Sequence, residues 1–279
     1  MSLHVLPAGV VSFPASSDDS PSIASIRNSR VFTWDAEVST TSQTVANQES
    51  SPADSSGQTD YDVQQGTSTG SDSRDPTYDS TNKFYKQPTS SSLDFLTMEG
   101  FKSTTTFTNS LHKDGAQFTI EMGYHQAGGT GGYIFSTAED TDDVGIALQD
   151  FSNAKIHLTV SRGTSGSFSV TKTSDNAMPN ASGLNHIIIS IDEGVTNGSF
   201  YYMNDSKTDT FTLTYSSPST SACTYNWTFL SSLLNGATGN PRFQVGQDNG
   251  LGYFAVYNKA VTEAEAAVLY DNAPSRYQV

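Results

Sequence analysis

The chain has 279 residues and a formal net charge of −15 at pH 7. So acidic a chain lacks the clustered Lys and Arg that bind a nucleic-acid backbone, and it would be repelled by an anionic membrane surface. It contains no apolar run of 18 residues, so we expect no membrane span. Its single cysteine, Cys223, excludes an intrachain disulfide, and no signal-peptide pattern opens the sequence. We therefore expect synthesis in a reducing cytoplasm.

Residues 1–30 differ in composition from the remainder of the chain. Pro7, Pro14 and Pro21 punctuate a segment rich in Ser and Asp that has only short apolar patches. This pattern predicts an extended N-terminal arm, which is either disordered or becomes ordered on the surface of a partner. Residues 31–279 would then form one domain, because β-sandwiches of this length are often single domains.

The first predicted strand, at 31–34, precedes a long polar region at 36–92 that is dominated by Ser, Thr, Asp, Gln and Gly. Compact domains seldom keep so long a loop without structure. We expect three aromatic islands to attach this region to the domain, and a short strand to follow it at 93–96. The islands lie at 61–63, 76–78 and 84–85.

From residue 104 onward, short strand patterns recur about every ten residues, bounded by Gly, Asn, Asp and Pro. This spacing is typical of an antiparallel sandwich or barrel. At 155–161 the apolar side chains alternate, so His157 is expected to face away from Ile156 and Leu158. Asn204-Asp205 predicts a tight hairpin. The predicted strands are 105–107, 118–124, 133–136, 145–148, 155–161, 167–172, 186–192, 199–203, 210–215, 225–230, 242–246 and 253–257.

One helix is predicted, at 263–270 near the C-terminus. Thr262 and Glu265 have the spacing of a capping box, and Asn272 and Pro274 follow as helix-ending residues.

Four stretches together resemble the concanavalin A-like lectin/glucanase superfamily, in its laminin-G-like branch. The resemblance implies an all-β fold over about residues 31–273. It would be a two-sheet antiparallel β-sandwich, a jelly roll, with one short C-terminal helix. The stretches are Val31-Phe-Thr-Trp-Asp-Ala-Glu; Phe118-Thr-Ile-Glu-Met-Gly with Tyr133-Ile-Phe-Ser; Leu184-Asn-His-Ile-Ile-Ile-Ser-Ile-Asp with Phe200-Tyr-Tyr-Met-Asn-Asp; and Tyr257-Asn-Lys-Ala-Val-Thr-Glu-Ala-Glu-Ala-Ala-Val-Leu-Tyr.

No catalytic pattern accompanies the resemblance. Enzymes of the superfamily cut glycans with carboxylates placed at alternate positions of one strand, flanking the bond. The chain has no Glu-x-Asp-x-Glu run, no Gly-x-Ser-x-Gly elbow and no metal-ligand spacing among its five histidines. We predict that the protein is not an enzyme.

An acidic run at 139–143 is the candidate metal site. In laminin-G-like domains a calcium-binding Asp lies just before a strand that resembles Gly145-Ile-Ala-Leu, which implies calcium ligands at Asp142 or Asp143, with Asp140 beside them. Calcium prefers several carboxylate and carbonyl oxygens from flexible loops. The alternative is a solvated acidic loop without a metal.

Five residues are candidates for sugar binding, because an aromatic face stacks on a pyranose ring and polar groups take its hydroxyls. The alternative for each is a place in the core, since half of the side chains along a strand face inward. They are Tyr124, His125, Tyr201, Tyr202 and Trp227.

The sequence therefore predicts a non-enzymatic virion surface protein of a tailed phage, a capsid decoration, spike or tail-associated domain made in the host cytoplasm. The phage assignment is an analogy with domains of this type on phage particles. The arm would contact other virion proteins, and the domain would adhere weakly to glycans as a homo-oligomer. The alternative is a free or cell-surface carbohydrate-binding module, and a glycan-degrading enzyme comes third.

Overall fold

The computed structural model describes most of the chain beyond residue 20. The described residues are 21–38, 43–55, 57–66, 70–87, 94–98, 107, 110–127, 131–137, 144–162, 170–180, 182–214, 223, 227–233, 241–242 and 245–278.

These residues form eighteen strands and two α-helices. The helices are α1 (Ile23–Arg27) and α2 (Glu263–Asp271), and 3-10 turns occur at Gln58–Tyr61, Ser152–Ala154 and Ser275–Tyr277. The strands are β1 (Arg30–Asp35), β2 (Thr44–Val45), β3 (Val63–Gln65), β4 (Thr77–Asp79), β5 (Phe84–Lys86), β6 (Leu96–Met98), β7 (Gln117–His125), β8 (Gly132–Ser136), β9 (Val144–Phe151), β10 (Lys155–Arg162), β11 (Val170–Thr173), β12 (Leu184–Asp192), β13 (Ser199–Met203), β14 (Ser206–Phe211), β15 (Trp227–Phe229), β16 (Ser232–Leu233), β17 (Pro241–Arg242) and β18 (Gly250–Tyr257).

Two antiparallel sheets of eight strands make up the fold. Sheet 1 has the order β14-β13-β12-β7-β18-β5-β4, and β1 pairs with the second half of β18. Sheet 2 has the order β11-β10-β9-β8-β15-β6-β3-β2, and β16 and β17 form a separate ribbon. The predicted all-β, two-sheet antiparallel sandwich with a C-terminal helix is confirmed.

The main core fills the space between the sheets with aromatic rings. Phe254 of β18 lies 5.9 Å from Phe32 of β1 and 4.9 Å from Phe229 of β15, measured between ring centroids. Phe135 packs edge-on against Trp227 at 4.7 Å. Such ring pairs add stabilisation beyond the burial of their area, which suits a chain with few aliphatic residues.

A second apolar cluster covers the outer face of sheet 1. Ile26 of α1, Leu269 of α2 and Tyr277 pack there against Ile188 and Tyr253 of the strands. Gly123 and Gly252 make room for Tyr277, because a Cβ at either position would overlap its side chain. The two helices and the last 3-10 turn therefore form one layer over sheet 1.

The C-terminal helix begins as predicted. The Thr262 hydroxyl accepts a hydrogen bond from the Glu265 amide at 3.2 Å, and Glu265 accepts one from the Thr262 amide at 2.9 Å. This is the predicted capping box, and α2 ends one residue later than expected.

The end of the predicted arm is not extended. Ser22 caps the one-turn helix α1 by accepting a hydrogen bond from the Ser25 amide at 3.1 Å, and Ile26 is fully buried against the second cluster. Residues 22–30 therefore belong to the folded unit because burial of Ile26 holds the turn in place. Residues 1–20 of the predicted arm lie outside the described residues.

The long polar region contains the expected attachments. All three aromatic islands contribute to strands or turns: the first to a 3-10 turn and β3, the second to β4 and the third to β5. Three strands are displaced from their predicted places. β17, at Pro241–Arg242, overlaps the segment predicted at 242–246 by one residue. β6 follows the expected 93–96 segment, and β14 starts directly after Asn204-Asp205 because the turn there is tight. Of the strand predicted at 105–107, only residue 107 is described.

Candidate functional site

Three of the five predicted sugar-binding residues lie in the core. Tyr124, Tyr201 and Trp227 are at most 1% exposed. The Tyr124 hydroxyl donates to Asp150 Oδ2 at 3.0 Å and the Tyr201 hydroxyl to the Lys172 carbonyl at 2.8 Å. The assignment of these three to a ligand site is therefore corrected: their rings face inward along their strands and offer no surface to a sugar.

Tyr202 is also largely buried, but it lines a surface cavity. It is 4% exposed, and its ring belongs to the apolar cluster over sheet 1. The hydroxyl lies 3.5 Å from Asp205 Oδ1, in an open cavity of about 620 Å³ that Lys207 and Glu263 also line. Burial and the nearby Asp205 raise the pKa of Tyr202 to about 12, so the hydroxyl stays protonated.

His125 is half-buried at the end of β7. Its ring stacks on Phe84 with 4.5 Å between centroids, and Nδ1 lies 3.1 Å from the Asp248 carbonyl oxygen. Burial lowers its pKa, so the ring is neutral at pH 7. Tyr202 pairs with Ile188 of β12 and His125 with Leu184, about 13 Å apart along the strand. The structure does not bring the five predicted residues into one site.

The predicted calcium ligands Asp140, Asp142 and Asp143 lie outside the described residues. Within the described part of the chain, no three His, Cys, Asp or Glu side chains come together as a metal site would require. In that same part, neither α-helix has the length and apolar composition needed to span a bilayer.

The described residues do place four polar side chains in one line on the outer face of sheet 2. Tyr133 of β8 pairs with Gln149 of β9, Gln149 pairs with His157 of β10, and His157 pairs with Thr173 of β11. Neighbouring strands lie about 4.8 Å apart, so this polar row spans about 14 Å. Each of its four residues is half-buried.

The alternation of the strands sets the direction of the polar row. Leu148, Ile156 and Leu158 are buried in the core between the sheets, so Gln149 and His157 point to the opposite side. The sequence already predicted this direction for His157. Tyr133, Gln149 and Thr173 were missed, because the register between strands, which aligns them with His157, is not visible in one strand alone.

The polar row offers several kinds of contact to a hydroxylated ligand. It combines a phenol ring, an amide, an imidazole and a hydroxyl, and His157 Nδ1 lies 2.6 Å from Thr173 Oγ1. Burial lowers the pKa of His157, so the imidazole is neutral at pH 7 and has one donor and one acceptor nitrogen. Such a surface can hold a sugar by stacking and hydrogen bonds without attacking it.

Among the buried carboxylates on the strands, the two least exposed are Asp150 and Glu121, and both face away from the polar row. Asp150 follows Gln149 on β9 and faces the interior, where Asn249 Nδ2 donates to it at 2.8 Å. Burial raises the pKa of Asp150 to about 6. Glu121 lies on the outer face of sheet 1, 1% exposed. Since these two carboxyls belong to different sheets and neither reaches solvent, they do not flank a bond as glycosidase carboxyls do.

Glu121 is the centre of a buried hydrogen-bond network. Its Oε2 accepts from the hydroxyls of Tyr257 at 2.6 Å and Tyr253 at 3.1 Å, and its Oε1 lies 2.9 Å from His186 Nε2. His186 is fully buried and packs edge-on against the Tyr270 ring of α2. The network ties β7, β12 and β18 together beneath the helices.

Comparison of the sequence with protein-family models finds no match, and comparison with the curated proteins finds none either. Solved structures do match in fold. One is of botulinum neurotoxin type C, whose cell entry depends on interaction with two ganglioside molecules; it has a TM-score of 0.56 and 11% identity over 90% of this chain and 53% of that one. Another is the binding domain of botulinum neurotoxin serotype D/C, with a TM-score of 0.56, 12% identity and coverage of 89% and 53%.

A shorter match is the CBM40 module of a Ruminococcus gnavus IT-sialidase, solved with α2,3-sialyllactose bound. It has a TM-score of 0.43 and 14% identity over 56% of this chain and 83% of that one. The chain spans about half the length of the neurotoxin chains that it matches. At these identities the similarity establishes a shared β-sandwich fold.

Proposed function

We propose that this protein is a non-catalytic carbohydrate-binding β-sandwich, and that it binds an extended glycan along the polar row. The observation that carries the proposal is the register of Tyr133, Gln149, His157 and Thr173 across β8–β11. The backbone of a sheet fixes these side chains in advance, so little conformational entropy is lost on binding. At about 14 Å, the row is long enough to contact several linked sugar rings.

The fold matches support the same proposal in a general way. The botulinum neurotoxins with this sandwich are described by their binding to gangliosides or as binding domains, not by catalysis at that fold. A polar, aromatic-containing sheet face that the helices leave uncovered is consistent with such a role. The helices cover the outer face of sheet 1 instead, with α2 packed on Ile188 and Tyr253.

Glycan binding by the full 279-residue chain is the test. We expect an array of neutral and acidic oligosaccharides to show binding, and Tyr133→Ala to weaken it about tenfold, because removing a stacked ring costs roughly 1.4 kcal/mol. Tyr270→Ala is the matched control, since Tyr270 is a half-buried tyrosine on the opposite side of the molecule. Melting temperatures of both variants show whether each remains folded.

Two results would contradict the proposal. One is an absence of glycan binding by the intact chain across the array. The other is an equal loss of affinity in Tyr133→Ala and Tyr270→Ala, which would place the contact away from the polar row. Thr173→Ala against Thr210→Ala, an exposed threonine on the edge strand β14, gives a second and milder comparison.

The virion location, the contacts of the arm with other virion proteins, calcium binding at 140–143 and a homo-oligomeric state stay predictions, as does the laminin-G-like subtype of the jelly roll. The structure changes how the arm should be tested. Because Ile26 and Arg30 belong to the folded unit, a truncation that removes only the arm should end before Ser22.

A further inference from the structure

A polar cavity lies over the outer face of sheet 1, on the opposite side of the sandwich from the polar row. It has a volume of about 360 Å³, within the range of small-molecule sites, and forms where α1, β1 and the segment after α2 meet. We call it the arginine cavity. Seven of its lining residues have polar side-chain groups: Arg27, Arg30, Thr33, Asp35, Gln48, Tyr253 and Asn272.

The arginine cavity contains one arginine without an ion pair among the described residues. Arg30 is paired with the carboxylate of Glu49, which is not part of the lining, whereas Arg27 has no such partner. The carboxylate of Asp35 is already paired with Arg276 of the last 3-10 turn. Arg27 is therefore the lining arginine whose charge no carboxylate of the described residues neutralises, in a protein with a net charge of −15.

The two arginines are held differently. Arg30 Nε donates to Glu49 Oε2 at 2.7 Å, and its side chain is only 16% exposed, so the guanidinium is fixed in place. A guanidinium has five N–H donors in a planar fork, so this bond leaves the terminal nitrogens of Arg30 for other acceptors. Arg27 is exposed and makes one long hydrogen bond, from Nη2 to the Asn272 carbonyl at 3.5 Å.

The other lining groups are better suited to bind hydroxyl groups of a ligand than to bind a second charged group. Thr33 is 3% exposed and its hydroxyl is buried, so Gln48 contributes the accessible amide, with both a donor and an acceptor. Asp35 accepts hydrogen bonds while its charge is balanced by Arg276. A ligand that fits must therefore combine an oxyanion for the arginines with several hydroxyl groups.

We infer that the arginine cavity binds a carboxylate-bearing monosaccharide of the hexuronate class, with the carboxylate between Arg27 and Arg30 and the ring hydroxyls on Asp35 and Gln48. Guanidinium and carboxylate groups match in planar, two-point geometry, and such charge-assisted bonds are about twice as strong as neutral ones. The cavity lies on the helix-covered side of sheet 1 and the polar row on sheet 2, so this site is independent of the proposed function.

The test is titration of the full chain with sodium glucuronate and, separately, with glucose, followed by calorimetry or by NMR of the arginine Nε–H signals. We expect glucuronate to bind at least about tenfold more tightly than glucose, because only glucuronate engages the arginines. Arg27→Gln is expected to lose most of this preference. Arg27→Lys should restore only part of it, since lysine keeps the charge but not the fork.

Arg74→Gln is the matched control, because it removes one positive charge from the segment before β4. It should leave glucuronate affinity within about twofold, and so should Tyr133→Ala on the polar row. The inference is overturned if glucuronate binds no more tightly than glucose, if Arg74→Gln weakens binding as much as Arg27→Gln, or if no binding occurs up to about 50 mM. Displacement by inorganic sulfate with equal affinity would also overturn it, by showing a site for any oxyanion.

Discussion

The outer faces of the two sheets differ in what covers them and in their polarity. On sheet 1, α1, α2 and the 3-10 turn at Ser275–Tyr277 cover an apolar cluster with the buried network of Glu121 beneath them. On sheet 2, the polar row lies half-buried across β8–β11. Side chains that the helices cover stabilise the fold. Polar side chains that the helices leave uncovered can be substituted with little change in the free energy of unfolding, and they can contact a ligand. We therefore expect substitutions on the first face to alter unfolding and those on the second to alter binding.

The largest expected effect is that of Glu121→Ala. The change leaves His186 and two tyrosine hydroxyls buried without their acceptor, and each buried polar group left without a partner costs about 1–3 kcal/mol. Urea denaturation, followed by fluorescence, measures the free energy of unfolding. Glu263→Ala is the control, because the pair between Glu263 and Lys207 is largely exposed and should cost less than about 1 kcal/mol. Similar losses in both variants would contradict the distinction between the faces.

Local sequence signals predicted part of this arrangement well. The capping box of α2 and the turn at Asn204-Asp205 depend on residues close together in the chain, so the pattern alone locates them. The alternation at Ile156 and Leu158 likewise gave the direction of His157. The one-turn helix α1 was missed, because five residues are too few to form a stable helix alone and Ile26 is held by distant residues.

The candidate site was harder to predict than the fold. Tyr124, Tyr201 and Trp227 are the kinds of residue that bind sugars, but each stands at a core-facing position of its strand. Which face of a strand is covered depends on how the sheets pack, and a one-residue shift exchanges the faces. The polar row needs three registers at once, between β8, β9, β10 and β11, and these long-range pairings leave no trace in any single segment.

Asp150 provides a buried carboxylate with which to compare Glu121. Burial raises its pKa from 3.8 to about 6, so the folded state holds a proton that the unfolded chain has lost. Its contribution to stability is therefore greatest below about pH 4, falls as the pH rises towards 6 and is constant above that. Asp150→Asn should raise the free energy of unfolding at pH 7.5, by at most about 3 kcal/mol, and have no such effect near pH 3.5.

Urea denaturation of Asp150→Asn at a series of pH values checks this dependence. Asp205→Asn is the control, since Asp205 lies exposed at the turn between β13 and β14. The prediction fails if Asp150→Asn destabilises the protein equally at both ends of the pH range. That result would mean that folding leaves the pKa of Asp150 unchanged.

Gly123→Ala tests how the last 3-10 turn closes over sheet 1. A Cβ at this position would overlap the Tyr277 ring, so the ring must shift and the free energy of unfolding should fall by about 1–3 kcal/mol. Gly194→Ala is a control of a different kind: its φ of +81° strains an alanine, but no atom lies within 4 Å of the new Cβ. We expect Gly123→Ala, and not Gly194→Ala, to increase the rate of proteolysis near the C-terminus.

The smallest effect on stability should come from the polar row itself. Gln149 is half-buried on β9, with its neighbour Leu148 packed in the core and its own amide turned outward. Gln149→Ala should change the free energy of unfolding by no more than about 0.5 kcal/mol, as is usual for surface positions. It should weaken binding of the glycan identified on the array about fivefold, since one hydrogen bond contributes on the order of 1 kcal/mol. A stable fold with weakened binding is the reverse of what Glu121→Ala should give.

If Gln149→Ala instead unfolds the protein and leaves glycan affinity intact, the outer face of sheet 2 is structural like that of sheet 1, and the glycan contact lies elsewhere.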